Sequence, residues 1–168
     1  MDRSIASPKR PITFNSSLEA GVRAVAILAA AHPRSYDLQR MIAYDYLLVH
    51  SGEVGGPESL HPPAPLHSAE PLVRRKLIEN ALLLMMTRDL VAREIDASGI
   101  KYKAGEGAVT FLSALQSDYI NALKIRALWI VDMFGDQPDT EFKGFMRQFF
   151  DRWVEEFQAV ERSMGMEP

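Results

Sequence analysis

The 168-residue chain is 47% hydrophobic and 24% charged, has a formal net charge of −3 and contains no cysteine. That apolar content with so little net charge excludes disorder for the bulk of it, and the length fits one domain with a substantial core. Without cysteine there is no disulfide framework, no thiolate zinc site and no cysteine nucleophile.

The first 15 residues read as a flexible N-terminal arm. Pro8 and Pro11 break it, and Asp2, Arg3, Lys9 and Arg10 leave no apolar stretch for a signal peptide. The longest apolar run, residues 24–31, is far short of the roughly 20 residues that span a membrane. A cytoplasmic protein without a membrane association is therefore expected. Charge is uneven along the chain: net −1 over residues 1–71, +3 over 72–104 and −5 over 105–168.

Ser16 and Glu19 form a capping box that opens a first helix, whose Leu18, Val22, Val25, Leu28 and Ala29 recur at helical spacing up to Pro33. Ser35 is expected to cap a second helix, with Leu38, Met41, Ile42, Asp45, Leu48 and Val49 on one stripe and Gly52 as its stop. Residues 51–70 hold three glycines and four prolines and show no periodicity. A loop this long within a domain is usually functional, and its prolines favour an ordered one. Pro71 suits the first turn of a third helix, which is apolar all round from Ala81 to Met86. Leu90–Ile95 and Ile100–Lys103 alternate as strands around a turn at Asp96–Gly99. Two further helices follow, one from about Gly107, or from Ser117 if the segment breaks there, to Phe134, the other from about Asp139 to Met164.

Three helices and a hairpin are the order of a winged helix-turn-helix. The expected fold is therefore mainly α: a winged helix-turn-helix with a short β-hairpin wing over residues 16–104, including the long 51–70 loop. Residues 105–168 form a C-terminal extension of two helices packed on it. In such a fold Arg74 and Arg75, opening the third helix, and Lys101 and Lys103, on the wing, are the candidate DNA contacts. The roughly twenty-residue connection before the third helix departs from the short turn of a DNA reader.

Other candidates are weighed against plainer readings. His50, His61 and His67, with Glu53 and Glu58, could hold zinc, but their spacing matches no metal motif and loop packing is the preferred reading. Asp45 on an apolar stripe needs a partner, for which Arg74, Arg75 or a tyrosine hydroxyl is at hand. The aromatic stripe of the last helix, Phe142 to Val160, is first a core face; Phe149, Phe150 and Trp153 widen it enough to dock a partner. No phosphate-binding loop, nucleophile elbow, zinc-helix motif or dinucleotide fingerprint occurs, so neither an enzyme nor a cofactor is expected.

The strings Ala43-Tyr44-Asp45-Tyr46-Leu47-Leu48-Val49-His50-Ser51-Gly52, Gly56-Pro57-Glu58-Ser59-Leu60-His61-Pro62-Pro63, Leu72-Val73-Arg74-Arg75 and Leu83-Leu84-Met85-Met86 resemble the middle component of bacterial ABC-three-component conflict systems. Lamassu-type antiphage systems belong to the same broad group. The resemblance implies a winged-helix, non-enzymatic bridge between an SMC/RecN-like ABC ATPase that senses DNA and an effector such as a nuclease. DNA would be met through the complex. It also implies that the long loop, with Ser59, Leu60, His61 and Pro62, and the third helix are protein-binding surfaces; the aromatic stripe, independently, adds Phe149 and Trp153.

Two other readings stand beside this one. The first is a homodimeric winged-helix transcription regulator, its C-terminal helices forming the dimer. The second is a small enzyme or metalloprotein built on the His/Glu loop.

Overall fold

A computed structural model describes residues 16–62 and 70–149. The N-terminal arm, His67, Phe150, Trp153 and the last helix beyond residue 149 lie outside the described residues. Six helices and one two-stranded antiparallel sheet make up the described fold: α1 (Ser17–Ala31), α2 (Leu38–Val49), a 3-10 turn (Ser51–Val54), α3 (Glu70–Met86), β1 (Val91–Asp96), β2 (Gly99–Ala104), α4 (Ala108–Ala114), α5 (Asp118–Phe134) and α6 over residues 139–149. No helix among the described residues is long and apolar enough to cross a membrane.

Helix α1 runs through the middle of the domain. It touches α3, α5, α2, α4 and β2, and residues 23–28 are all buried. Alanines at positions 20, 24, 26 and 31 let neighbouring backbones approach, while Ile27 and Leu28 fill the interior. Each such large side chain contributes about 1.5–3 kcal/mol by leaving water. The helix starts as its capping box dictates, with the Ser16 hydroxyl accepting from the Glu19 amide at 3.1 Å.

Helix α2 starts two residues later than its sequence suggests. Ser35 does not cap it, because Tyr36 first pairs with β2: its amide donates to the Tyr102 carbonyl at 2.9 Å, and the Tyr102 amide returns the bond at 2.7 Å. The chain stays extended through Asp37, whose carboxylate then accepts from the Arg40 amide at 2.8 Å and becomes the cap.

The hairpin forms as expected, with Ile95 opposite Ile100 and Gly99 at a φ of 118° in its turn. Three helices follow it among the described residues, where two were expected. Ser117 breaks the segment by accepting from the Ile120 amide at 3.2 Å, so α4 and α5 are separate. The stretch Ala81–Met86, apolar all round, is not buried all round: Leu83 is exposed while Ala81, Leu82 and Met85 face inward. On α5, Leu128 is likewise exposed and Ile130 is buried.

Helix α6 lies along α2 in the same direction. Arg40 meets Asp139, Tyr44 meets Phe142 and Tyr46 meets Phe149. Phe142 and Met146 are buried.

Candidate functional site

Two features dominate the surface: the loop after α2, and a groove where α2, α6 and the start of α3 meet. Beneath both lies a charged cluster. The Arg23 Nε donates to Asp45 Oδ1 at 2.6 Å, and Arg74 Nη1 donates to Asp45 Oδ2 at 2.5 Å. All three side chains are buried, so Asp45 joins α1, α2 and α3 at one point. Burial works against the charge on Arg23, but the facing carboxylate outweighs it and holds its pKa above the ordinary arginine value.

The loop is ordered over residues 51–62, and its polar groups are occupied in folding it. The Ser51 hydroxyl donates to the Pro57 carbonyl at 2.7 Å, the Ser59 hydroxyl accepts from the Gly52 amide at 3.0 Å, and the Leu60 and His61 amides both donate to the Val49 carbonyl. Arg126 on α5 then pins the loop from outside, its Nε and Nη2 reaching the Glu58 carbonyl at 2.9 and 2.5 Å. His61 Nε2 lies 2.8 Å from the Tyr119 hydroxyl, and the two rings stack. Burial, and then the nearby charges of Arg23 and His50, push the His61 pKa down to about 4, so the ring is neutral at physiological pH.

Of the loop residues expected to meet a partner, Ser59, Leu60 and His61 are engaged within the domain, and Pro62 is exposed. Phe149 packs partly buried against Tyr46. His50 and His61 stand edge to face at 6.2 Å, but among the described residues no group of three or more His, Cys, Asp or Glu side chains could hold a metal.

The four expected DNA contacts are not brought together. Arg74 is turned inward onto Asp45, with its guanidinium 5.2 Å from the Tyr46 ring centre, so its placement is that of a core residue. Arg75 is exposed and pairs with Glu79 one turn on, at 3.3 Å. On the hairpin, Lys103 pairs with Glu94 at 2.6 Å, and Lys101 is partly exposed. The hairpin tip itself carries Ile95 and Ile100 side by side, 70% and 46% exposed.

The groove encloses about 630 Å³. Ile42, Ala43, Tyr46, Phe142 and Met146 form its apolar floor and walls. Asp37 and Asp139, at the starts of α2 and α6, lie toward one end, and both are engaged with Arg40. Arg75, Lys143 and Arg147 line the remainder, all exposed. Among the described residues Lys143 and Arg147 have no ion pair. They escape a reading by segment charge, since residues 105–168 are acidic overall. The signal was their spacing, i and i+4 on one helix face.

A family model described as ABC-three component (ABC-3C) system Middle Component 2 matches residues 13–156. No curated protein and no solved structure matches the chain.

Proposed function

We propose that this chain, which belongs to the ABC-three-component (ABC-3C) system Middle Component 2 family, is a non-enzymatic bridging subunit. It would join an SMC/RecN-like ABC ATPase to an effector in cytoplasmic defence against phage or plasmid DNA, as in Lamassu-like systems. Membership in a three-component system itself implies protein partners.

The observation that carries the bridging reading is the fate of the cations. Arg74 is held in the core by Asp45, Lys103 faces Glu94 across the hairpin, and Arg75 faces Glu79 on its own helix. Two exposed cations with no ion pair among the described residues, Lys143 and Arg147, rim an apolar groove instead. A groove with an apolar floor and a polar rim suits a protein segment better than a phosphate backbone. The paired, exposed isoleucines of the hairpin tip favour a protein contact for the same reason. The winged-helix reading is supported by the element order and by the Tyr36–Tyr102 bridge, which adds the connection between α1 and α2 to the hairpin as a third extended segment. On this reading the fold serves association rather than operator recognition.

Co-expression of the full chain with the ATPase and the remaining component of its own system, followed by size-exclusion chromatography with light scattering, tests the proposal. A complex of all three, in which ATPase and effector stay apart when the chain is omitted, is the expected result. Association of the other two without it would overturn the bridge. Elution of the chain as a homodimer that retains a palindromic DNA duplex would favour the regulator instead.

A further inference from the structure

We infer that the groove between α2, α6 and the start of α3 is a docking site for an acidic amphipathic helix from another component of the same assembly. The inference rests on the bridging role and names the chemistry of one of its partners.

Length sets the first limit. The α2 wall from residue 37 to 46 spans about 14 Å, and the α6 wall from 139 to 147 about 12 Å, at 1.5 Å per residue. That admits a helix of two to three turns, with apolar residues at i, i+3 or i+4, and i+7. The floor offers such a stripe Ile42, Ala43 and Met146. Charge sets the second. Lys143 and Arg147 stand one turn apart on α6, and Arg75 lines the same groove from α3. Among the described residues the only carboxylates lining the groove are Asp37 and Asp139, and both are tied to Arg40, one capping its amide and the other paired with its guanidinium. A helix presenting Asp or Glu beside its apolar stripe would therefore meet cations without having to displace an internal partner from Lys143 or Arg147. DNA would meet the same cations, but its phosphates would leave the apolar floor uncovered, and Asp37 and Asp139 would repel them.

An array of overlapping peptides of about 15 residues, some four helical turns, covering the companion components tests this. It is probed with the full-length chain, and positives are measured by fluorescence anisotropy. The expected positives carry acidic residues flanking apolar ones at helical spacing. Lys143→Glu/Arg147→Glu should weaken them at least tenfold while leaving the thermal unfolding midpoint of the chain in place, and a Lys-for-Glu peptide should regain binding to that variant. Positives that are basic or uncharged would overturn the inference, as would an unchanged affinity in the charge-reversed variant. Preferred binding of a synthetic peptide of residues 150–168 would overturn it in favour of the chain's own segment. Displacement of the peptides by a short DNA duplex, with loss of duplex binding in the same variant, would overturn it in favour of nucleic acid. If the three-component complex forms but survives Lys143→Glu/Arg147→Glu intact, the groove assignment falls and the bridge stands. If the complex never forms with the unaltered chain, the bridge falls independently of the array.

Discussion

Arg23 on α1 and Asp45 on α2 meet at 2.6 Å with only 1% and 2% of their side chains exposed, and Asp45 simultaneously holds Arg74 of α3. The carboxylate is shared by two buried guanidinium groups, so removing it leaves two buried charges facing each other. Asp45→Ala is expected to cost about 3–5 kcal/mol, read as a fall in the urea midpoint without a change in slope. Replacing all three residues with apolar side chains of similar volume should restore much of the loss, because the desolvation of the charges disappears with them. A normally stable Asp45→Ala protein would show that the cluster does not hold the helices together.

This cluster also shows how far the sequence can be read. Asp45 was legible because a carboxylate stood on an otherwise apolar stripe, and Arg74 was among its candidate partners. Arg23 was not, although a single arginine between alanines and valines in a helix otherwise apolar from Val22 to Ala31 carries the same signal. The hairpin and the Ser16 cap were legible because local chemistry alone decides them. The α2 cap was not: a pairing of Tyr36 with Tyr102, 66 residues away, decides where that helix begins. The groove was illegible for a related reason. It is assembled from three helices, and the segment that supplies two of its cations is acidic when summed.

Arg40 gives a second test of long-range pinning. Its Nε donates to the Tyr44 hydroxyl at 2.7 Å, its Nη1 to Asp139 at 2.7 Å and its Nη2 to the Phe134 carbonyl at 2.5 Å. The guanidinium also lies over the Tyr36, Tyr44 and Phe142 rings, at 5.1, 5.5 and 4.7 Å. Burial pushes the Tyr44 phenol well above its ordinary pKa, so it stays protonated and can accept from Arg40 while donating to Phe134. Arg40→Ala should cost about 3 kcal/mol, which lowers the unfolding midpoint by roughly 6–12 °C in a chain of this size. Arg40→Lys should recover less than half, since an ammonium cannot reproduce the planar fork or its stacking. Full recovery by lysine would reduce the site to a simple point charge.

The loop has a pH signature. His61 is held at a pKa of about 4 by burial and by the charges of Arg23 and His50, below the ordinary value of about 6.5. Between those values the unfolded chain takes a proton that the folded chain refuses, so stability falls as pH drops from about 6.5 to 4 and this contribution then levels off. Because the ring is partly exposed, the loss is on the order of 1–2 kcal/mol. His61→Gln should flatten the pH dependence of the urea midpoint across that window. An equally steep profile in the variant would mean that other groups govern it.

The contact of the loop with α5 depends on a residue that lacks a side chain. A methyl group on Gly56 would stand 2.4 Å from Cζ2 of Trp129, and that indole is fixed edge-on against Phe134 at 6.0 Å between ring centres. The ring cannot retreat without disturbing Phe134, which is buried against Phe142. Gly56→Ala should therefore lift the loop rather than move the tryptophan, at a cost of about 1–3 kcal/mol. The Arg126 bonds to the Glu58 carbonyl would loosen with it. Faster amide exchange at Gly52, Leu60 and His61, whose N–H groups hold the loop closed, is the expected readout. Gly144→Ala on α6 supplies the contrast, since nothing lies within 4 Å of its added carbon. In a helix that change should stabilise by roughly 0.5–1 kcal/mol. If both substitutions stabilise the protein, the loop yields freely at Gly56 and is not clamped to α5.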